Sequence, residues 1–331
     1  MITNFKKLQL VLIKRTLLFM MLLGSFACDS DSDKEAAINA VPISLEVERF
    51  DQEFYGGTAS KIPDLKARYP FLFPVQYKDS VWIARQKDSL QLLLQQEVNK
   101  TFADTAALEK TLTHLFQHIT YYFPNLPIPR VVTLTNNVDY QLKTVYTDSL
   151  LLISLDTFLG SKNPLYEGIP LYVKKELDPV YLPGQIVDKF GSYYLPQPED
   201  RTFLAQLIYY GKKLYLQDLL LPHLEDYLKI GYTPSELDWA VDNELFIWQY
   251  FVEKQLLYTT HPEFQQRFLD PAPFSKFYLE IDQESPGGIG RWVGWQIVKS
   301  FAAQNPERSI QHVLQTPALE LFNQSKYKPK R

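Results

Sequence analysis

The sequence predicts an α+β protein that is mostly helical, with about eight helices around one small antiparallel sheet. Apolar residues recur at helical spacing over residues 79–100 and 104–122. Three short apolar runs follow at residues 130–135, 140–147 and 150–155, and turn residues separate them. The 22 prolines against 13 glycines favour many short elements with abrupt ends.

The first part of the globule is predicted to contain one strand and two long helices. Residues 43–50 alternate as a strand does. Residues 79–100 are predicted as one helix, and Asp104 is predicted to cap the next. Three prolines after residue 123 end that helix and force an extended passage into the sheet.

The second part is predicted to be helical. One helix begins near Pro183 and another covers residues 200–220. Thr233 and Glu236 form a capping box for a helix that continues through Val252. A last long helix is predicted at residues 288–303, and a short one closes the chain.

The chain begins with a secretory signal that ends at its only cysteine. Basic residues precede an uncharged, mostly apolar stretch at residues 16–27, which is too short for an ordinary membrane span. Small residues then lead to Cys28 in the order Ser-Phe-Ala-Cys, a loose lipobox. The pattern predicts lipidation of Cys28 and anchoring in the cell envelope. The alternatives are ordinary cleavage that leaves a free thiol, and an uncleaved anchor.

This start predicts three segments: a lipoprotein signal peptide at residues 1–27, an acidic solvated tether at 28–41, and a single globular domain at 42–331. Removing the signal takes away four basic and no acidic residues, which leaves 30 basic and 38 acidic residues. Because no basic stripe remains for phosphate contacts, the balance argues against a nucleic acid partner.

Two polar pairs deserve comparison with sites of known chemistry. His114 and His118 are four apart on a helix, a spacing that can bind zinc, but Leu115 stands where a metalloprotease needs a glutamate. Both histidines lie off the apolar face, which predicts that they look outward to solvent. Asp238 and Asp242 are also four apart, and they form either a carboxylate pair or a solvated flank.

The glycines of the last long helix have two interpretations. Gly290 and Gly294 are four apart, between Trp292 and Trp295. The favoured interpretation is that they let this helix approach a neighbour closely, and the alternative is that they line a ligand site.

Three segments together resemble one family. They are residues 207–215 with the following Leu-Pro, residues 290–298, and the terminal Ser-Lys-Tyr-Lys-Pro at 325–329. With the lipoprotein start, they resemble the gliding motility lipoprotein GldB family over nearly the whole mature chain. The resemblance implies a part in surface gliding and a link to the type IX secretion machinery.

That family is in turn similar to zinc peptidases of the gluzincin kind, which implies a degenerate zincin-like fold. Those enzymes carry His-Glu-x-x-His on one helix and Glu-Gly-x-Ala on the next. Here residues 185–190 occupy the first helix without a histidine, and Tyr210 replaces the glutamate ligand. The resemblance therefore implies that no metal or other cofactor is bound.

The sequence as a whole predicts a lipid-anchored, non-catalytic envelope protein on the periplasmic or outer-membrane side. Its expected partners are the membrane, through the lipid on Cys28, and proteins of the gliding machinery. The alternative is an envelope hydrolase that uses cleft carboxylates, such as Asp238 and Asp242, on peptide or glycan. The candidate cleft and binding residues are Tyr209, Tyr210, Gly211, Lys212, Trp292 and Trp295.

Overall fold

A computed structural model describes residues 29–329 of the chain. Its strands are β1 (Val47–Glu48), β2 (Arg130–Leu134), β3 (Thr144–Tyr146) and β4 (Leu150–Ser154). The helices before and between the strands are α1 (Asp29–Asn39), α2 (Phe50–Gly56), α3 (Ile62–Arg68), α4 (Asp79–Gln86), α5 (Ser89–Thr101) and α6 (Thr105–Tyr122).

The chain after the sheet is helical, as predicted. Its helices are α7 (Leu171–Lys174), α8 (Leu182–Tyr194), α9 (Phe203–Leu220), α10 (Asp226–Ile230), α11 (Pro234–Asp242), α12 (Glu244–Glu253), α13 (Pro262–Phe268), α14 (Ile289–Gln304), α15 (Ile310–Gln315) and α16 (Ala318–Ser325). Short 3₁₀ helices lie at Ala59–Lys61, Pro70–Leu72, Leu155–Thr157, Pro164–Tyr166, Pro179–Tyr181 and Glu280–Glu284.

The strands form one mixed sheet in the order β1–β2–β4–β3. β2 pairs in parallel with both β1 and β4, and only β3 and β4 are antiparallel. The predicted antiparallel sheet is therefore wrong except for that hairpin. After β2 the chain turns away through a loop that Asp156 holds, since its carboxylate accepts hydrogen bonds from the backbone N–H groups of Asn136 and Val138. As a result β3 pairs beyond β4 and not beside β2.

Local capping explains where the helices begin and why two predicted helices are divided. Asp104 caps α6, and the capping box of Thr233 and Glu236 starts α11, both as predicted. Residues 79–100, predicted as one helix, form α4 and α5 because the Asp88 carboxylate accepts hydrogen bonds from two backbone N–H groups at the start of α5. The predicted helix from Thr233 to Val252 is divided into α11 and α12 at Asn243, whose side chain donates a hydrogen bond to the Trp239 carbonyl at the end of α11.

The acidic segment after Cys28 differs from the solvated tether predicted from its composition. It forms α1, which packs against α6. Ile38 is fully buried there, and the Gln117 side chain donates hydrogen bonds to the carbonyls of Asn39 and Val41. The apolar contact of Ile38 and these hydrogen bonds together dock a short polar helix on α6. Cys28 and the signal peptide lie outside the described residues.

Helix α9 lies between two apolar clusters and belongs to both. Tyr209 and Leu216 join the cluster of the sheet, α6 and α8. Leu207 and Ile208 join the cluster built from α12, α13 and α14. A helix that is apolar on nearly all sides is expected to be buried, and this one forms the centre of the molecule.

The close packing predicted for the glycines of the last long helix is confirmed. α14 crosses α9 so closely that a Cβ on Gly294 would overlap the backbone carbonyl of Leu207. A Cβ on Gly211 would in turn overlap the carbonyl of Gly294. Within residues 29–329, no helix combines the length and apolarity that a membrane span needs.

Candidate functional site

A polar cleft of about 530 Å³ opens between α8 and α9. We call it the α8–α9 cleft. The turn before β3 and the start of α14 close its two ends. Its polar and charged lining residues are Tyr140, Gln141, Lys143, Tyr172, Glu176, Gln185, Asp188, Lys189, Ser192, Tyr210, Lys213, Gln217, Lys229 and Arg291.

An ion pair joins the two helices across the cleft. Lys213 Nζ on α9 lies 2.7 Å from the Asp188 carboxylate on α8. The ammonium also lies 5.9 and 5.6 Å from the ring centroids of Tyr209 and Tyr210. Burial raises the pKa of the Asp188 carboxyl, but Lys213 outweighs burial and holds the pKa below its ordinary value. Asp188 is therefore a carboxylate at neutral pH.

A second ion pair forms the wall next to the sheet. Lys143 Nζ lies 3.0 Å from the Glu176 carboxylate, which also accepts a hydrogen bond from the Gln185 side chain at 2.9 Å. Both carboxylates of the cleft are therefore neutralised by a lysine. This leaves the cleft with an excess of positive charge, because Lys189 and Arg291 line it as well.

Arg291 is held in a defined orientation at the start of α14. Its Nε donates a hydrogen bond to the Leu269 carbonyl at 2.6 Å, and its guanidinium lies 4.8 Å from the centroid of the Tyr210 ring. Within residues 29–329 it forms no ion pair, and its two Nη groups donate no hydrogen bond to protein.

Gln217 lies in the floor of the cleft with an unsatisfied acceptor. The residue is 2% exposed, and its Oε1 has no hydrogen-bond partner among the described residues. Gly184 on α8 leaves the space for this side chain, since a Cβ there would lie 2.9 Å from Oε1. The atom has almost no accessible surface, so it is an unsatisfied acceptor within the cleft floor and not a group that a ligand in the open cleft contacts.

The structure brings only some of the predicted site residues to the cleft. Tyr210 lines it. Tyr209 meets the Tyr210 ring edge-on, and its hydroxyl accepts a hydrogen bond from Gln197. Lys212 points to the other side of α9, where its Nζ donates to the carbonyl of Thr316 at 2.7 Å. Placing Lys212 in the cleft was therefore wrong, and the adjacent Lys213 takes that role.

The other three predicted residues belong to the core. Gly211 contacts the backbone of α14 and does not face the cleft. Trp292 is 6% exposed and Trp295 is fully buried, and Trp295 donates its indole N–H to Asp218 at 2.7 Å. These residues hold α9 and α14 together. The geometry therefore does not support a role for them in ligand binding.

Sequence reasoning missed Lys213, Gln217 and Arg291. Lys213 and Gln217 are four apart on an otherwise apolar helix. Polar residues at that spacing on a buried face are a usable sign of a polar cavity. No comparable signal distinguishes Arg291 from other arginines.

The predicted outward orientation of the histidine pair is correct for His114 and wrong for His118. His118 is 5% exposed, and its Nδ1 lies 3.0 Å from the Leu219 carbonyl. Burial lowers its pKa, so the ring is neutral near pH 7. Its Nε2 lies 3.7 Å from Glu35 on α1. No three His, Cys, Asp or Glu side chains in the described part of the chain are arranged to hold a metal ion.

Asp238 and Asp242 are exposed on α11 and do not line the α8–α9 cleft. They correspond to the solvated flank that was one of the two interpretations of this pair. The carboxylates invoked for the hydrolase alternative are therefore absent from the cleft.

These features define a class: a mostly helical α+β protein with a small mixed sheet and a positively charged cleft between two central helices. The chain belongs to the gliding motility protein GldB family, whose model matches residues 31–329. This gives it a role in gliding motility and the character of a lipoprotein. Comparison with curated proteins and with solved structures gave no significant match.

Proposed function

We propose that the protein is a non-catalytic binding component of the gliding machinery, linked to type IX secretion. A lipid on Cys28 holds it in the cell envelope, on the periplasmic or outer-membrane side. The α8–α9 cleft binds a peptide segment of a partner protein. Three tyrosines and several fixed charged side chains line it, and such groups can contact both the side chains and the backbone of a peptide.

One observation carries the proposal. The cleft lies between α8 and α9, the helices that the resemblance aligns with the metal-binding helices of gluzincin peptidases. Gln185 and Asp188 on α8 face Tyr210 and Lys213 on α9 across it. In that alignment Tyr210 takes the place of the glutamate ligand, and residues 185–190 contain no histidine. This arrangement supports a zincin-like scaffold that has lost its metal site.

The state of the cleft carboxylates favours binding over hydrolysis. A general acid needs a pKa near the working pH. Lys213 holds the pKa of Asp188 below its ordinary value, and Glu176 is paired with Lys143. The Asp188 carboxyl is therefore not suited to donate a proton at neutral pH.

The proposal is tested in living cells by photo-crosslinking. Replacing Gln141, an exposed residue at the cleft rim, with p-benzoylphenylalanine should give a discrete protein adduct. The same replacement at Glu320, exposed on α16, is the control and should give none. Identical adducts from both positions, or no adduct from Gln141 in motile cells, would reject the cleft as the binding site.

The proposal that the protein is non-catalytic is tested by metal analysis of the purified mature domain. We expect less than stoichiometric zinc after equilibration with zinc and gel filtration. One zinc per chain that is lost in the Asp188→Ala variant would overturn this part of the proposal.

A further inference from the structure

We propose that the α8–α9 cleft recognises a carboxylate on its peptide ligand through Arg291. This inference rests on the proposed function and names the chemistry of the peptide that the cleft takes.

The charge of the cleft points to an anionic ligand. Five basic residues line it, against the two carboxylates of Glu176 and Asp188, in a chain whose formal net charge is −4. Three of the basic residues already have acidic partners: Lys143, Lys213 and Lys229. Lys189 and Arg291 form no ion pair within residues 29–329. A cationic cleft on an acidic protein attracts anions selectively.

Arg291 is built to bind such an anion. The hydrogen bond from Nε to Leu269 and the stacking on Tyr210 fix the plane of the guanidinium. The edge formed by Nη1 and Nη2 is left without protein acceptors. A planar guanidinium fixed in this way can donate two parallel hydrogen bonds to a carboxylate, and little side-chain entropy is lost on binding.

A peptide is a ligand that can supply this carboxylate. The carboxylate can come from an acidic side chain or from the chain terminus, and the experiment distinguishes these two sources.

The test uses two random pentapeptide libraries on beads, one ending in a free carboxylate and one attached by its C-terminus. The soluble domain, residues 29–331, is labelled and incubated with both. We expect enrichment of Asp and Glu if a side chain is read, and preference for the free-carboxylate library if the terminus is read. The best peptide and its Asn, Gln or amide isostere are then compared by fluorescence anisotropy.

The acidic peptide should bind about tenfold or more tightly than its isostere, as expected for charge-assisted hydrogen bonds. Arg291→Gln should remove this difference, and Arg291→Lys should keep part of it because the charge remains. Arg308→Gln, at an exposed arginine outside the cleft, is the matched control and should bind as wild type. Thermal melts show whether each variant is folded. If Arg291→Gln does not fold, Arg291→Lys is used to test the role of Arg291.

Three results would overturn the inference. Equal binding of acidic and neutral peptides, unchanged in Arg291→Gln, rejects carboxylate recognition but leaves the peptide-binding function standing. Acidic preference that survives in folded Arg291→Gln rejects the role of Arg291. Failure of the wild-type domain to bind any peptide from either library rejects both this inference and the proposed function.

Discussion

Gly294→Ala tests whether the contact between α9 and α14 depends on bare backbone. The added Cβ would lie 2.6 Å from the carbonyl carbon of Leu207 and overlap its oxygen. Carbon atoms pack at about 3.5–4.0 Å, so the two helices must separate by about 1 Å. No side-chain rotation relieves the overlap, because the opposing atoms belong to the backbone.

The separation affects a large apolar surface. α14 buries most of one face against α9, including Trp295 and Val298. A gap of about 1 Å already removes a quarter to a half of the dispersion attraction across it. Overpacking of this kind typically lowers the free energy of unfolding by about 1–3 kcal/mol, and we expect about 3 kcal/mol here. The corresponding fall in melting temperature is roughly 6–12 °C.

The sign of the change in stability distinguishes the packing argument from helix propensity. Helix propensity alone predicts that Gly→Ala stabilises a helix by about 1 kcal/mol. Urea unfolding and thermal melts of the soluble domain would be compared with Gly56→Ala, where a Cβ meets nothing within 4 Å. Gly211→Ala probes the same contact from the other helix, and the double variant should cost less than the sum. Wild-type stability of Gly294→Ala would refute the packing argument.

Two further predictions concern Lys212 and the lipid anchor. Burial lowers the pKa of Lys212 in the folded protein to about 8. Between pH 8 and about 10.4 the unfolded chain therefore binds more protons than the folded protein. The stability of the wild type should rise with pH through this window. Lys212→Met should be more stable than the wild type at pH 7 by roughly 1–3 kcal/mol, after the lost hydrogen bond to Thr316 is allowed for. In urea unfolding this difference in stability should shrink by pH 10. A difference that does not depend on pH would contradict the prediction. Cys28→Ala should release the protein from the membrane fraction or block its processing, with Ser30→Ala as the control, and a variant that is processed and membrane-bound like the wild type would reject lipidation.

Local signals in the sequence predicted several elements correctly. The caps at Asp104 and Thr233 act within one helical turn, so they need no knowledge of the rest of the fold. The spacing of Gly290 and Gly294 predicted a close helix contact, because two bare positions four apart form one smooth patch on a helix. The corresponding partner, α9, was not predicted.

The cleft was predicted only in outline. Resemblance to a family drew attention to residues 185–190 and 209–213, but of the predicted site residues only Tyr210 lines the cleft. Which of Lys212 and Lys213 faces the cleft depends on the rotation of α9 about its axis. Neighbouring residues differ by about 100° around a helix, and α9 is apolar on nearly all sides, so its own pattern does not define an outer face.

The sequence by itself determined that the chain is mostly helical, where α6, α11 and α14 begin, and that the last long helix meets a neighbour through glycine. Only the tertiary structure decided the parallel pairing of β2 with β4, the burial of His118 and Ile38, and the placing of Arg291 over Tyr210. The physical reason is the distance along the chain over which each interaction acts. Caps and periodicity act within a few residues, whereas strand order, burial of single polar side chains and the lining of a cleft depend on elements that are distant in the chain and meet only when the whole core packs.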